Sequence, residues 1–347
     1  MSELGGGGPG AAERLTALLG RRVALRHRLA DPGSGPSLTD AVGELTSDDP
    51  TTVLVHTRRG AVRVRRDAVV AVREVPPAPE RRASLAATEH LERLCADAWP
   101  AVYDEPVGRW RLRAADGFTG RANSALAVGD PGLPIAEALD RVADFALRHG
   151  IPPLLQVPHG SPNRRAAAGQ GWVRHDAHPA GADVAVLVAE LAASEDAGPG
   201  AAPGTAGPGA APEGMTLTVA DRPEEDWWPL TEPAPVGPAA RHVLTAPGLA
   251  DVGFAVARTG TGEVAGVARF AVVGEHLHVA RLAVAGPHRR RGLAVALMRA
   301  GERWAAGRSA RWCVLQVAEH NAGALALYQR LGFRRHHRYQ YLRPPSR

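Results

Sequence analysis

The sequence contains no lysine, only two cysteines and few aromatic residues, and each shortage limits what the protein can be. Cys95 and Cys313 are far apart, so neither a disulfide scaffold nor a metal site is expected, and both are interpreted as buried thiols. All 41 basic residues are arginine beside abundant Ala, Gly and Pro, which indicates a GC-rich coding sequence. The formal charge of +5 is therefore weak evidence for a nucleic-acid partner.

Long apolar runs are also missing. No stretch approaches the roughly twenty apolar residues needed to cross a bilayer, and residues 1–10 have neither a basic start nor an apolar run. We therefore expect a cytoplasmic protein that makes no membrane contact. The hydrophobic fraction of 45% and the charged fraction of 22% are typical of a globular protein, and 347 residues predict two or three domains.

A small β unit is predicted at residues 12–75. After a helical turn, apolar residues recur at alternate positions in five short runs, which predicts a small SH3-like barrel. Its arginines could form a nucleic-acid surface, but no aromatic residues alternate with them for base stacking, so a solvated face is favoured. They are Arg21, Arg22, Arg26, Arg28, Arg58, Arg59, Arg63, Arg65 and Arg66.

An α+β unit is predicted at residues 84–192, beyond a proline-rich segment at 75–80. Residues 193–214 contain too few large apolar residues to offset the entropy of chain ordering, which predicts a disordered linker. Residues 215–347 form a last unit of mixed order, with helices expected at 222–230, 292–307 and 321–331. The chain is therefore assigned to the α+β class.

The most informative segment is the predicted strand 276–284 and the loop that follows it, Arg289-Arg-Arg-Gly292, which opens a helix. Such a loop can direct several backbone N–H groups to one point, where the positive end of the helix dipole favours a pyrophosphate. Gly292 permits close approach of the backbone, and the arginines add charge. A structural helix start with solvated arginines is the alternative interpretation.

A second motif lies in residues 321–333. Asn321 is placed to cap a helix, Gly332 is placed to end it, and Tyr328 lies seven residues after Asn321 on nearly the same helix face. On its own, Tyr328 could be a packed aromatic and Asn321 only a cap.

Together the two motifs resemble the GNAT superfamily of acetyl-CoA-dependent N-acyltransferases, whose loop reads Arg/Gln-x-x-Gly-x-Gly/Ala and whose later helix reads Asn-x-x-Ala-x-x-x-Tyr before Gly-Phe. The resemblance implies that the loop binds the CoA pyrophosphate and that the preceding strand separates from the next. The residues that it assigns to CoA are Arg289, Arg291, Gly292, Leu293, Ala294 and Asn321. The backbone of Leu282 or Val284 would hold the thioester carbonyl, and Tyr328 would protonate the departing thiolate.

The general base is less well defined by the resemblance. Some family members have a glutamate six residues before the end of the strand, and that position is His278 here. His278 could instead be a half-exposed strand histidine, and we favour this interpretation. Glu319 and Glu275 are reserve candidates, and a chain of water molecules could replace all three.

The family's acceptor pocket corresponds to residues 224–228, where acidic and aromatic side chains could receive a cationic amine, although a structural role is favoured.

Residues 110–124 resemble the first half of two-part actinobacterial GNAT proteins, some of which begin with an SH3-like barrel. Since residues 129–134 replace the Arg/Gly loop, the resemblance implies tandem GNAT folds, the first degenerate. Arg121 and Asn123 could face a substrate or belong to a hydrogen-bonded turn.

The leading hypothesis is direct transfer of an acetyl group from acetyl-CoA to a primary amine of a small molecule or peptide, with no metal and no nucleic-acid partner. The alternative is an acyl-CoA-sensing regulatory or binding protein whose barrel engages protein or nucleic acid. The sequence does not name the acceptor, because many chemistries share this fold.

Overall fold

The computed structural model describes residues 11–29, 37–46, 50–57, 60–76, 83–179, 181–191, 212–232, 235–249 and 251–345. The chain divides into two compact units, Met1–Arg81 and Arg82–Arg347. Residues 193–211 of the predicted linker, residues 77–80 of the proline-rich segment, and Arg58 and Arg59 lie outside the described residues.

The described residues of the first unit form an α-helix, a 3₁₀ helix at Arg66–Ala68 and a five-stranded antiparallel sheet of order β4-β3-β2-β1-β5. Its elements are α1 Ala11–Ala17, β1 Arg22–Arg28, β2 Leu38–Thr46, β3 Thr52–Thr57, β4 Gly60–Arg65 and β5 Val69–Glu74. Fully buried apolar side chains such as Leu15, Leu25 and Val53 form its core. Arg26 pairs with Asp40 at 2.8 Å, and both side chains are about half exposed, as expected for a solvated arginine face.

The first half of the second unit begins with a helix that Ser84 caps, its hydroxyl accepting a hydrogen bond from the Ala87 N–H at 3.1 Å. The elements are α2 Leu85–Asp97, β6 Tyr103–Val107, β7 Trp110–Ala114, a 3₁₀ helix Gly120–Ala122, β8 Ser124–Leu126, α3 Ile135–Arg148, β9 Leu155–Pro158, α4 Pro162–Gly169, β10 Val173–Arg174 and β11 Asp183–Glu190.

The second half contains the predicted Arg/Gly loop and Tyr328 helix. The elements are β12 Met215–Ala220, a 3₁₀ helix Glu225–Leu230, α5 Pro238–Thr245, β13 Val252–Thr259, β14 Val264–Val273, β15 His276–Val284, a 3₁₀ helix Gly286–His288, α6 Leu293–Ala306, β16 Trp312–Ala318, α7 Ala322–Arg330 and β17 Arg334–Arg343. The helix predicted at 222–230 is shorter and of the 3₁₀ type, because Pro229 within it has no N–H to donate.

The two halves of the second unit share one sheet of order β12-β13-β14-β15-β16-β11-β17-β9-β8-β7-β6, with β10 beside β17. Strand β11 comes from the first half but pairs with β16 of the second. Strand β17 comes from the second half but pairs with β9 of the first. This strand exchange joins the two halves through the hydrogen bonds of one sheet.

Apolar clusters cover both faces of this sheet. On one face, buried residues of α6 such as Leu297 pack with Phe270 and Leu315. On the other, Trp227, Val243 and Trp99 pack together. Cys95 and Cys313 are buried and unbridged, as predicted, and burial raises the pKa of both thiols. Within the described part of the chain, no helix is long and apolar enough to span a membrane.

Candidate active site

Strands β15 and β16 separate part-way along their length. They pair in parallel only between His276–Val279 and Trp312–Leu315. Beyond that point β15 continues to Val284 beside β14, while β16 continues to Ala318 beside β11. The opening between them is the separation that the GNAT resemblance implies.

A β-bulge at Arg281 changes which face of the sheet the following residues contact. Arg281 has a φ of 52°, and the pairing of β14 with β15 shifts register there. Before the bulge, Leu277 and Val279 belong to the cluster beneath α6, and after it Leu282 and Val284 do. Side chains alternate along a strand, so without the extra residue His278 would share a face with Leu282 and Val284. With the extra residue, His278 lies on the opposite face from both.

The main chain of Val284 is directed into the opening. The N–H of Ala285 donates to the Ala265 carbonyl oxygen at 2.9 Å, on the β14 side. Successive residues of an antiparallel strand direct their N–H and C=O groups to alternate sides, so Val284 points away from β14. Its carbonyl oxygen accepts a hydrogen bond from Arg289 Nε at 3.1 Å, which agrees with this direction. Leu282, two residues earlier, also lies in the part of β15 that does not pair with β16.

The N-terminus of α6 closes one end of this region. Gly292 is its N-cap with a φ of 80°, and Arg290 also has a positive φ of 63°. A Cβ on Gly292 would meet no atom within 4 Å, so the backbone conformation rather than crowding requires glycine. Among the described residues, no side chain caps the first turn of α6. Its N–H groups, which include that of Ala294, therefore remain available to an anion.

The side chains around this helix end divide into anchors and charges. Leu293 is buried and anchors the helix in the core. Arg289, Arg290 and Arg291 are exposed at its mouth. The donor set, an uncapped helix end with adjacent guanidinium groups, fits a pyrophosphate.

Helix α7 presents Asn321 and Tyr328 beside the same opening. The Asn321 side chain accepts a hydrogen bond from the Ala324 N–H at 3.1 Å and so caps α7. Tyr328 is buried edge-on to Phe333, with ring centroids 5.6 Å apart, in the cluster that contains Leu293. Burial raises the pKa of Tyr328 to about 12, which keeps the phenol protonated at neutral pH.

The interpretation of His278 as a half-exposed strand histidine is wrong, because its side chain is fully buried. Its ring lies 6.4 Å from that of Trp99. Burial, and then the charges of Arg121 and Arg269, lower the pKa of His278 well below its usual value, so the imidazole is neutral at pH 7. His278 is buried because it lies on the face of β15 that packs against Trp99.

The reserve carboxylates are both ion-paired. Glu319 follows β16, and its carboxylate lies 3.9 Å from Arg335 and 3.5 Å from Arg338. Glu275 pairs with Arg311 at 3.3 Å at the start of β15, the end opposite the Arg/Gly loop. Both carboxylates are therefore already engaged by arginine side chains.

The acidic and aromatic residues at 224–228 have structural roles, as the favoured interpretation held. Arg258 bonds both Glu224, at 2.5 Å, and Asp226, so these carboxylates are already paired. Trp227 and Trp228 are buried in the core, with their rings edge to face at 5.3 Å. Asn123 likewise completes a turn, since its side-chain oxygen accepts hydrogen bonds from the N–H groups of residues 115 and 117.

A polar group lies on the face of β15 opposite α6, and sequence reasoning named only Arg121 of its members. The group comprises Trp99, Arg121, Arg269, Arg281 and Glu232, which no motif connects. A further available signal was an arginine within the otherwise apolar run 264–273. A cavity of about 300 Å³ adjoins this group and is lined by Phe118, Glu232 and residues 235–240, with Asp116 and Gly117. Within the described ranges, no cluster of His, Cys, Asp or Glu could hold a metal ion.

Residues 86–342 match the family described as probable histone acetyltransferase Rv0428c, C-terminal. The chain belongs to the Rv0428c-type acetyltransferase family. Residues 17–73 match the Rv0428c N-terminal Sm-like domain. The predicted GNAT resemblance and the α+β fold with a preceding small β unit are thereby confirmed, with the Sm-like match roughly consistent with the SH3-like barrel predicted for that unit.

Individual relatives overlap the chain only in part. The probable histone acetyltransferase Rv0428c of Mycobacterium tuberculosis (strain ATCC 25618 / H37Rv) is 45% identical over 109 residues, 31% of this chain and 34% of that protein. The uncharacterized N-acetyltransferase YobR of Bacillus subtilis (strain 168) is 35% identical over 72 residues, 21% of this chain and 28% of that protein. These matches thus span about a third or less of each curated relative.

Among solved structures, a GCN5-related N-acetyltransferase from Kribbella flavida superposes with a TM-score of 0.49 at 18% identity. The superposition covers 75% of this chain and 96% of that one.

Proposed function

We propose that the protein transfers an acetyl group from acetyl-CoA to a primary amine of a small molecule or peptide. The observation that carries this proposal is the opening between β15 and β16, bordered by the uncapped N-terminus of α6 and by Tyr328. All assigned residues fall within 215–347, which we propose as the catalytic domain. Residues 12–75, 84–192 and 193–214 would be the small β domain, the degenerate GNAT domain and the linker.

In this proposal the loop holds the pyrophosphate of acetyl-CoA, which supplies an activated acyl group as its thioester. Arg289 and Arg291 contribute charge, and the N–H groups after Gly292 contribute hydrogen bonds. Leu293 and Ala294 belong to the first helical turn that presents these donors, and Asn321 fixes the neighbouring α7.

The chemical step needs a donor at the carbonyl and an acid at the sulfur. The N–H of Leu282 or Val284 would stabilise negative charge that develops on the thioester oxygen. Tyr328 would give its proton to the departing thiolate. Although burial raises the pKa of this phenol to about 12, the same dry surroundings raise the pKa of the thiol, so the transfer stays feasible.

The incoming amine must lose a proton. We assign His278 as the first candidate base, because its imidazole is neutral at pH 7 and lies on the acceptor side of β15. Glu319 is the second candidate. A water chain that leads from the cavity to either group would serve the same purpose.

The test measures thiol release from acetyl-CoA with a broad panel of amines, together with calorimetric titration of CoA. We expect CoA binding and amine-dependent release. CoA binding without release above the hydrolysis background would contradict the proposed transfer, and absence of any heat with CoA would contradict the assignment of the loop. His278→Gln and Glu319→Gln, compared over pH, separate the candidate bases, since only loss of the true base removes the acidic limb of the pH–rate profile.

A further inference from the structure

Three guanidinium groups surround the buried ring of Trp99. Their Cζ atoms lie 4.2 Å (Arg121), 5.2 Å (Arg269) and 5.8 Å (Arg281) from the ring centroid. They come from the 3₁₀ helix Gly120–Ala122, from β14 and from the bulge in β15. Cations stack favourably on a tryptophan face, but three so close together repel one another. We call Trp99 and these three arginines the guanidinium cluster.

The cluster contains more positive than negative charge. Within the described residues, the one carboxylate that pairs with it is Glu232, which contacts Arg281. Arg121 donates to the neutral side-chain oxygen of Gln316 at 2.9 Å, and Arg269 donates from Nε to the Leu244 carbonyl oxygen at 2.6 Å. Three guanidinium groups and one carboxylate leave a formal excess of two positive charges (3 − 1 = 2).

Arg269 is the least satisfied member. Its side chain is fully buried, and neither Nη atom hydrogen-bonds any residue in the described part of the chain. Burial first, and then the nearby charge of Arg121, lower the pKa of Arg269 to about 9. A buried cation without a partner is strongly destabilising, so an arginine at this position indicates an anionic partner.

The cluster lies where an acceptor would approach the thioester. Gln316, which Arg121 contacts, is the first residue of β16 beyond its last pair with β15. Arg281 contacts Phe118, at 5.0 Å from the ring centroid, and Glu232, and both of these line the cavity of about 300 Å³. The cavity therefore lies next to the Arg281 side of the guanidinium cluster.

The cavity wall also carries features that suit a molecule with charges of both signs. Residues 237–240, at the N-terminus of α5, form part of it and add the positive end of a helix dipole. The carboxylates of Asp116 and Glu232 line it too, and Asp116 is exposed. An acceptor that carries both an amine and an anionic group is complementary to these surfaces.

We propose that Arg121, Arg269 and Arg281 bind an anionic group of the acceptor, so that the substrate is an amine that also bears a carboxylate or a phosphate. This inference rests on the proposed acetyl transfer. Carboxylate and phosphate share the bidentate geometry that guanidinium groups recognise, and the experiment distinguishes them.

The first arm compares matched acceptors in the thiol-release assay: L-amino acids against their α-carboxamides, and O-phosphoethanolamine against ethanolamine. We expect kcat/KM to be at least about tenfold higher for the anionic member of one pair, and that pair identifies the group. Equal or faster turnover of the neutral or cationic members overturns the inference while the proposed function stands. Absence of release above the hydrolysis background with every acceptor contradicts the proposed function instead.

The second arm tests the arginines. Arg121→Gln and Arg281→Gln should raise KM for the preferred anionic acceptor about tenfold or more and leave KM for its neutral partner within about twofold. Arg281→Lys should recover part of the loss, since a point charge replaces a planar one. Arg148→Gln, an exposed arginine paired with Glu105 at 3.0 Å, is the matched control. An equal loss for both acceptors would indicate a structural role and overturn the inference.

A binding readout keeps the inference testable without turnover. With CoA present, saturation-transfer NMR compares N-acetylglycine, N-acetylglycinamide and inorganic phosphate. We expect N-acetylglycine or phosphate, but not the neutral amide, to bind wild-type protein and to lose binding in Arg121→Gln. Indistinguishable signals from all three probes, or unchanged binding in the variant, would overturn it. Thermal unfolding of each variant confirms that the fold is retained.

Discussion

The second unit contains two helices at equivalent positions, α6 and α3, and their N-termini differ in charge. The loop before α6 carries three exposed arginines and Gly292. The loop before α3 carries Asp130, whose carboxylate accepts a hydrogen bond from the Gly132 N–H at 2.8 Å. An acidic group already occupies that loop, and Glu137 adds negative charge in the first turn of α3. A pyrophosphate would be repelled there.

The strands before these helices differ as well. Strands β15 and β16 separate beyond Val279, whereas β8 stays paired with β9, and the N–H of Ala127 continues the ladder to the Gln156 carbonyl oxygen at 2.9 Å. Buried polar side chains reinforce the closed pair. Gln156 donates to Glu92 at 2.6 Å and accepts from Arg113 at 2.8 Å.

The comparison teaches that the repeated fold does not by itself provide an acyl-CoA site. Two local properties are needed: a helix N-terminus with no acidic side chain in the preceding loop or the first turn, and parallel strands that separate near it. The second half has both and the first half has neither. Four predictions test this contrast.

The largest effect is expected from Tyr328→Phe, which removes the proposed acid and keeps the ring that packs on Phe333. Turnover should fall by roughly 10² to 10⁴, the usual contribution of a general acid, while the Kd for CoA changes less than about twofold. Steady-state kinetics and calorimetry measure the two quantities. Tyr103→Phe, an exposed tyrosine of the first half, is the control and should have no effect. Unchanged turnover in Tyr328→Phe would remove this residue from the mechanism.

The double variant Arg289→Gln/Arg291→Gln should raise the Kd for CoA by at least about 100-fold, because charge-assisted hydrogen bonds to phosphate are worth roughly 1.5–3 kcal/mol each and every 1.4 kcal/mol is about tenfold in Kd. The salt dependence of binding should weaken as well. Calorimetry at two ionic strengths checks both effects. Arg299→Gln, on α6 and paired with Glu302 at 2.6 Å, is the matched control.

Asp130→Asn should not create a second CoA site, since β8 and β9 remain paired. A binding stoichiometry of two CoA per chain would contradict the requirement for separated strands.

A matched glycine pair separates strain from function. Gly292 (φ 80°) and Gly132 (φ 70°) both have positive φ and space for a Cβ. Alanine at either position should therefore lower the free energy of unfolding by about 1 kcal/mol. Only Gly292→Ala should also weaken CoA binding, by several-fold, because only that loop presents donors to the ligand. Equal effects of both variants on the Kd would show that the loop acts only through stability.

The smallest effect concerns pH. Burial, followed by the charge of His337, lowers the pKa of His336 to about 4. His336 contacts His337 at 2.8 Å, and His337 bonds Glu92 of the closed network at 2.6 Å. Between pH 6.5 and about 4 the unfolded chain takes up a proton that the folded chain does not, so stability falls as the pH falls through this range. Because His336 is half exposed, its share is under about 1 kcal/mol.

Chemical denaturation of wild type and His336→Gln at several pH values checks this contribution. The variant should show a shallower loss of stability between pH 6.5 and 4. An identical slope would assign the acid sensitivity to other groups.

Local features of the fold were predictable from sequence. The five strands of the first unit, the bounds of α6 within one residue and the Asn321 cap all follow from interactions between near neighbours. Periodicity, capping and glycine conformational freedom act over a few residues, so the sequence displays them directly. The Arg/Gly loop and Tyr328 belong to the same category.

The features that sequence reasoning missed depend on distant segments. Strand β11 was not identified, so its insertion between β16 and β17 could not be foreseen. The bulge at Arg281 arises from pairing with β14. It places His278 on the face opposite Leu282 and Val284, where a regular strand would put all three on one face. A bulge exists only in relation to the partner strand. Counting residues along one strand therefore cannot predict it.

The sequence by itself therefore determined the Arg/Gly loop, the helix that carries Tyr328 and the family to which the chain belongs. Tertiary structure alone decided that Arg121, Arg269 and Arg281 meet around Trp99, and so decided the charge of the surface that we propose for the acceptor. The physical reason is range: helix caps and loops are stabilised by neighbouring residues, whereas the guanidinium cluster exists only because three distant segments are packed against one ring.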